Sequence, residues 1–202
     1  MPEYNLTPNL PLEIIYQKGF LPQRNNRRYF YQDSSSRSNL TNVTLSSENR
    51  RILKKTQKFD YKIEFVDQFD FNSQVLKKCS TWSKQLNWKF PSSSIKTIFT
   101  NHLFNYIYTW TDTDKVIAYS ICLFEKNFSH VAYVFYDPAY TKTDLPIRLS
   151  LQVIIDSIDK KLSFCYLGRF NPISKTGFYK RNFPNFQIYN YKTKTWQDFK
   201  KL

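Results

Sequence analysis

Apolar and polar positions along this chain follow two periods, one near four and one of two. Leu10, Ile14 and Ile15 recur at close to helical spacing, and Gly19 closes that segment. Residues 72–87 carry Val75, Leu76, Cys79, Trp82 and Leu86 on roughly one helical face, and residues 95–101 continue in the same period after Pro91. The longest amphipathic stretch is 145–162, with Leu149, Leu151, Val153, Ile154, Ile155, Ile158 and Leu162. Strand-like runs lie at 27–32, 61–66, 104–111, 115–124, 130–136, 164–167 and 186–191. Asp112, Thr113 and Asp114 supply one turn, and Lys126 with Asn127 another, which makes 104–136 an antiparallel meander. Ser46 or Ser47 caps a helix running to about Thr56, with Glu48 in its first turn where the helix dipole favours an anion. The serine-rich stretch 33–42 reads as a polar loop, 42–45 as a short strand, and a short helix is expected near Ser174.

The order meander, long helix, strand, short helix, strand is similar to an N-acetyltransferase core of the GNAT type. The expected class is therefore α+β: a mixed, largely antiparallel sheet flanked by helices, with an N-terminal α/β extension. The division reads as a basic extension, 1–58, and a GNAT-like core, 59–202, packed as one unit. Such a core grips a coenzyme A pyrophosphate on free backbone N–H groups of a glycine-bearing loop at the start of its long helix. Here that loop reads AYTKTDLPIRLS: it has no glycine, and Pro146 removes a further donor. This counts against an ordinary acetyltransferase.

Composition and charge narrow the choice. With 41% hydrophobic and 18% aromatic residues the chain can bury a core, which excludes a disordered polycation. No apolar run approaches the roughly 18 residues of a membrane span. The opening MPEYNLTPNLPLEIIY has neither the basic start nor the apolar stretch of a secretory leader, so a cytoplasmic, monomeric protein away from membranes is expected. Cys79, Cys122 and Cys165 stand too far apart for a zinc motif, and His102 and His130 are isolated, so no metal site is expected. The net charge of +14 is uneven: +6 over residues 1–58, −1 over 59–159 and +9 over 160–202. Basic ends around a neutral middle suit one polyanion-binding surface, provided the fold brings the ends together.

Three segments together resemble the arginyl-tRNA–protein transferase family, including its bacterial leucyl-transferring branch. The first holds Tyr16, Gly19 and Phe20, followed by Arg28, Tyr29, Phe30 and Tyr31. The second is the helix segment Ser46, Ser47, Asn49, Arg50, Arg51, Leu53 and Lys55. The third runs Phe135, Tyr136, Asp137, Pro138, then Tyr166, Leu167, Gly168, Arg169 and Phe170, then Lys175, Tyr179, Lys180 and Phe183. The family's cysteine-rich stretch is absent, its place taken by YQDSSSRSN, and a methionine after Lys175 is replaced by Thr176.

The resemblance implies transfer of an amino acid, Arg or Leu, from charged tRNA to the N-terminal α-amine of an acceptor protein. No cofactor is implied beyond aminoacyl-tRNA as co-substrate, and the acceptors implied are proteins or peptides with acidic N-termini. On this reading Arg50, Arg51, Lys54 and Lys55 form a cationic stripe for tRNA phosphates, extended by Arg28, Arg37, Arg169 and Lys180. Asp137 orients the acceptor amine or the terminal ribose, Tyr136 and Tyr166 stack on base or ribose, Gly168 permits close approach of the donor, and Lys175 holds an acidic acceptor residue. Two alternatives stay open: a non-catalytic RNA-binding descendant and a coenzyme A-dependent N-acyltransferase.

Overall fold

The computed structural model describes residues 4–6, 10–24, 26–171, 173 and 177–199, with the backbone alone at 4–6, 27 and 28. The chain begins with β1 (Tyr4–Leu6), α1 (Leu12–Gln17), β2 (Phe20–Gln23), β3 (Asn26–Gln32) and β4 (Ser35–Asn39). Next come α2 (Ser47–Lys55), β5 (Asp60–Phe65), α3 (Ser73–Gln85), α4 (Ser92–Thr100), β6 (Tyr106–Asp112), β7 (Lys115–Phe124) and β8 (Phe128–Tyr136). A 3-10 turn, Pro138–Thr143, leads into α5 (Leu145–Asp159) and β9 (Phe164–Arg169). A second, Phe178–Asn182, precedes β10 (Phe186–Asn190) and β11 (Thr195–Asp198).

Eight strands form one sheet in the order β11-β10-β4-β9-β8-β7-β6-β5, and β1, β3 and β2 form a small second sheet. Every pairing in the large sheet is antiparallel except β8 with β9. The period of two decides which side each strand residue faces. On β6, Tyr108 and Trp110 join a buried cluster with Ile52 of α2 and Leu149 and Val153 of α5. Ile107, adjacent to Tyr108 and so pointing the other way, joins the opposite cluster with Ile15 and Tyr16 of α1, Cys79 and Trp82 of α3, and Ile98 and Phe99 of α4. The sheet is thus covered by α2 and α5 on one face and by α1, α3 and α4 on the other. This is the α+β architecture the sequence predicts, a mixed and largely antiparallel sheet flanked by helices.

Residues 33–42 depart from expectation. Instead of a polar loop they supply β4, which lies between β9 and β10, and Ser35, Ser36, Arg37 and Ser38 are all buried. A polar strand survives here because Ser35 and Ser36 find backbone partners and Arg37 a side-chain one. Ser35 Oγ donates to Asp33 O (2.9 Å), and Ser36 Oγ donates to Gly168 O (2.8 Å). Residues 42–45, expected as a strand, are irregular and lead to Ser46, whose side chain accepts from Asn49 N at 3.1 Å and caps α2. The short helix expected near Ser174 falls outside the described residues at that position; the 3-10 turn begins at Phe178.

The placement of β4 bears on charge. It joins the basic N-terminal segment to the basic C-terminal one within one sheet, and Asn49 Nδ2 of α2 donates to Asn182 O (3.2 Å). The two basic ends therefore pack against each other.

Candidate active site

Strands β8 and β9 run parallel only over Phe128↔Phe164, Ser129↔Cys165 and His130↔Tyr166, and then part. Both walls carry a bulge just past this point. On β8 the extra residue against β7 is Ala132, and on β9 the extra residue against β4 is Leu167. A bulge bends its strand and re-aims the following side chains, so the two together open the sheet. The opening is a cavity of about 540 Å³, lined among others by Arg24, Tyr31, His130, Tyr133, Gly168, Arg169 and Lys180.

At its floor His130 is 3% exposed. Its Nδ1 lies 2.9 Å from the hydroxyl of Tyr16, which is wholly buried. Among the described residues the phenolic proton has no other acceptor, so the hydroxyl donates to Nδ1 and the imidazole proton sits on Nε2. Nε2 has no hydrogen-bond partner among the described residues and faces the cavity. Burial pushes the His130 pKa down to about 3, with the charge of Lys180 adding to the effect. The ring is therefore a neutral N–H donor at physiological pH.

Lys180 approaches from the 3-10 turn 178–182. Its ammonium donates to Leu167 O and to Arg169 O (2.8 Å), both at the end of β9. Desolvation lowers its pKa to about 8. Gly168 sits between these groups with φ +71°, a conformation that suits glycine. A Cβ at Gly168 would lie 3.9 Å from both His130 Nε2 and Lys180 Nζ, so the two donors converge on one spot. Arg169 forms the rim, with Nε 2.6 Å from Asp33 Oδ2 and donating to the Tyr31 hydroxyl (3.1 Å). Arg24 lies on the other side, its guanidinium 5.0 Å from the Phe90 ring centre.

Of the residues singled out from sequence, Gly168, Arg169 and Lys180 line this cavity. Asp137 does not. Its Oδ1 accepts from Ala139 N (3.0 Å) and its Oδ2 pairs with Lys115 (2.7 Å), so its carboxylate caps the turn after β8. Tyr136 packs edge-on to Trp88. Tyr166 is 1% exposed among Tyr16, Phe128 and Trp196, beneath the site rather than in it. Arg37 is also interior. Its guanidinium lies 3.8 Å from the Phe164 ring centre and 4.3 Å from that of Trp196, and Nε donates to Gln187 Oε1 (2.9 Å), so it does not extend a surface stripe. The Arg28 side chain and Lys175 lie outside the described residues.

On α2, Arg51 is held by Glu48 at 2.7 Å and by Asp144 at 3.2 Å, and Lys55 by Asp144 at 2.9 Å. Arg50 donates to Leu45 O, and Lys54 is exposed. Asp144 itself stands at the head of α5 with φ +66°. The sequence gives no site role to Arg24, His130 or Tyr133, nor to Tyr16 and Tyr31, although both lie in the first segment of the resemblance. The available signal was His130, a lone polar residue in the apolar run HVAYVFY.

Acid stability offers a direct check on the neutral imidazole. In the unfolded chain His130 titrates near 6.5, whereas in the fold it stays neutral to about 3. Below pH 6.5 the unfolded state therefore takes up a proton that the native state refuses, and stability falls as pH falls. The expected loss is about 1.4 kcal/mol per pH unit between these values. Denaturant midpoints measured across this range should show that slope in the wild type and a flatter one in His130→Gln.

One parallel strand pair, splayed beside the N-terminus of the long helix, within an otherwise antiparallel sheet defines a GNAT-type fold. No family model matches the chain, and no curated protein matches it. Among solved structures it is similar to the C-terminal domain of a lysylphosphatidylglycerol synthetase from Agrobacterium fabrum. The TM-score is 0.54 at 11% identity, over 68% of this chain and 46% of that one. The chain thus spans less than half the length of that protein, and the likeness is one of fold. Weaker likenesses are to L-PGS from Bacillus licheniformis (TM-score 0.47, 12% identity, 70% of this chain and 48% of that one) and to the ribosomal-protein-S18-alanine N-acetyltransferase of Escherichia coli (0.42, 15%, 59% and 74%). Among the described residues no helix is long and apolar enough to cross a membrane.

Proposed function

We propose that this protein transfers an aminoacyl group, Arg or Leu, from a charged tRNA to the α-amine of an acceptor protein. The observation that carries the reading is the convergence of the His130 Nε2–H and the Lys180 ammonium beside Gly168, in the opening between β8 and β9. The donor ester is already activated, so catalysis needs placement, a proton acceptor and stabilisation of the oxyanion. The amine nitrogen attacks the ester carbonyl, the oxyanion forms against the His130 N–H, and collapse breaks the bond to the ribose oxygen. Lys180, whose pKa near 8 allows the neutral amine to form, takes the amine proton in that form while its own two N–H groups keep their carbonyl bonds, then returns it to the leaving ribose oxygen. Arg24 at the rim, which has no carboxylate partner among the described residues, suits the terminal phosphates of the donor.

A coenzyme A donor is less well served. The head of α5, where a GNAT core holds pyrophosphate, carries the Asp144 carboxylate already engaged by Arg51 and Lys55, followed by Pro146. The test is a filter assay with labelled Arg-tRNA and Leu-tRNA and an Asp-starting peptide, run in parallel with labelled acetyl-CoA. Label passing from tRNA to peptide supports the proposal, and label passing only from acetyl-CoA overturns it. Because the Agrobacterium fabrum domain is named for lysylphosphatidylglycerol synthesis, phosphatidylglycerol vesicles belong in the assay as a rival acceptor.

The tRNA surface has its own measurement. Arg51 and Lys55 are neutralised by Glu48 and Asp144, whereas Arg50 and Lys54 have no carboxylate partner among the described residues. Replacing Arg50 and Lys54 by Ala should reduce the slope of log affinity against log salt by about two, as for two lost phosphate contacts. The Arg51/Lys55 double replacement should reduce it less. Filter binding across a salt series decides; an unchanged slope in the first variant removes α2 from the interface.

A further inference from the structure

The large sheet ends at β5, which among the described residues pairs on one side only, with β6. Along its six residues, Tyr61, Ile63 and Phe65 point to one face and are 36%, 40% and 49% exposed. They prolong the face that α5 covers further in: Tyr61 stacks on Tyr108 (ring centres 5.8 Å apart), and Phe65 lies against Tyr106 at 4.7 Å. The other face of β5 carries Lys62 and Glu64, which pair with each other at 2.9 Å. A free edge with an apolar face is a template for another strand.

We propose that the partner is a second copy of this chain, joined β5 to β5 about a two-fold axis through Ile63. The sequence of the strand selects this register. Residues opposite each other in an antiparallel pair share a face, so a symmetric pair must centre on a residue. Centred on Lys62, it sets Lys62 against its own copy and Asp60 against Glu64. Centred on Glu64, it sets Glu64 against its own copy. Centred on Ile63, it sets Ile63 against Ile63 and Tyr61 of each copy against Phe65 of the other. It also sets Lys62 of each copy against Glu64 of the other. Tyr61, Ile63 and Phe65 then meet only apolar residues and Lys62 meets Glu64 twice over by symmetry, while Asp60 at the strand's end falls opposite Val66 instead of another carboxylate. The result is a continuous sixteen-stranded sheet with both β8–β9 clefts far from the junction.

The proposal is independent of the catalytic reading and needs no substrate to test. Sedimentation equilibrium at moderate ionic strength, which screens the +14 charge of each copy, should show a dimer that dissociates on dilution. Lys62→Glu sets like charges opposite each other, as does Glu64→Lys, and each should weaken the dimer about tenfold. Mixing the two variants restores both opposite-charge pairs and should return a heterodimer of wild-type strength. Ile63→Lys, which leaves the charge pairs intact but breaks the apolar centre, should also weaken it. Circular dichroism confirms that each variant is folded. A wild type that stays monomeric up to hundreds of micromolar, or charge variants that dimerise as the wild type does, overturns the proposal.

Discussion

Replacing His130 by Ala is expected to lower aminoacyl transfer at least about 100-fold while the protein stays folded. The magnitude follows from the loss of one oxyanion donor in a water-poor site. The site is water-poor at this point, because His130 is 3% exposed and its Nε2 has only the cavity to face. His130→Gln, which keeps an N–H donor, should recover part of the loss. Tyr16→Phe should give an intermediate defect. It leaves Nδ1 without its donor, so the proton is no longer fixed on Nε2. Asp137→Asn should change transfer little, since its carboxylate is turned to Lys115 and the Ala139 N–H. Single-turnover rates with saturating charged tRNA separate these outcomes. A large defect in Asp137→Asn with an active His130→Ala would return the chemistry to the end of β8, where the sequence alone places it.

The difference between those two placements shows which kinds of signal a sequence carries. Local patterns were readable. The two periods mark α3, α5 and the meander, Ser46 is a recognisable cap, and the YLG…YK spacing picks out Gly168, Arg169 and Lys180, all lining the cavity. What is not local was hidden. β4 reads as a loop because Ser35, Ser36 and Arg37 find partners in Tyr191, Gly168 and Gln187, 132 to 156 residues further along the chain and brought by tertiary structure. The cationic stripe on α2 looked free for the same reason: Asp144, which holds Arg51 and Lys55, is about ninety residues further along the chain. His130 looked like an isolated histidine, and its partner Tyr16 is 114 residues away. In each case residue type was visible but pairing was not, and pairing decides whether a charge or a ring nitrogen is available for chemistry.

Gly19→Ala should destabilise the protein by about 2–5 kcal/mol, the sum of a left-handed backbone strain and overpacking. Gly19 follows α1 with φ +77°, and a Cβ there would fall 2.4–2.8 Å from three ring carbons of Tyr189 on β10. The ring has little room to retreat, since it packs against Tyr191 and Trp196 at about 5 Å and the latter donates to Gln17 O of α1 at 2.8 Å. The position matters beyond stability because Tyr16 sits one turn earlier, and the end of α1 is what brings its hydroxyl to His130. A displaced Gly19 should therefore also weaken transfer, through Tyr16 rather than through any contact of its own. The two causes can be separated by a double-mutant cycle with Tyr189→Leu, read by urea denaturation. In that background the ring clash is removed and only the backbone term of about 1–2 kcal/mol should remain. An equal cost in both backgrounds would assign the whole effect to the backbone and leave β10 out of the seating of α1.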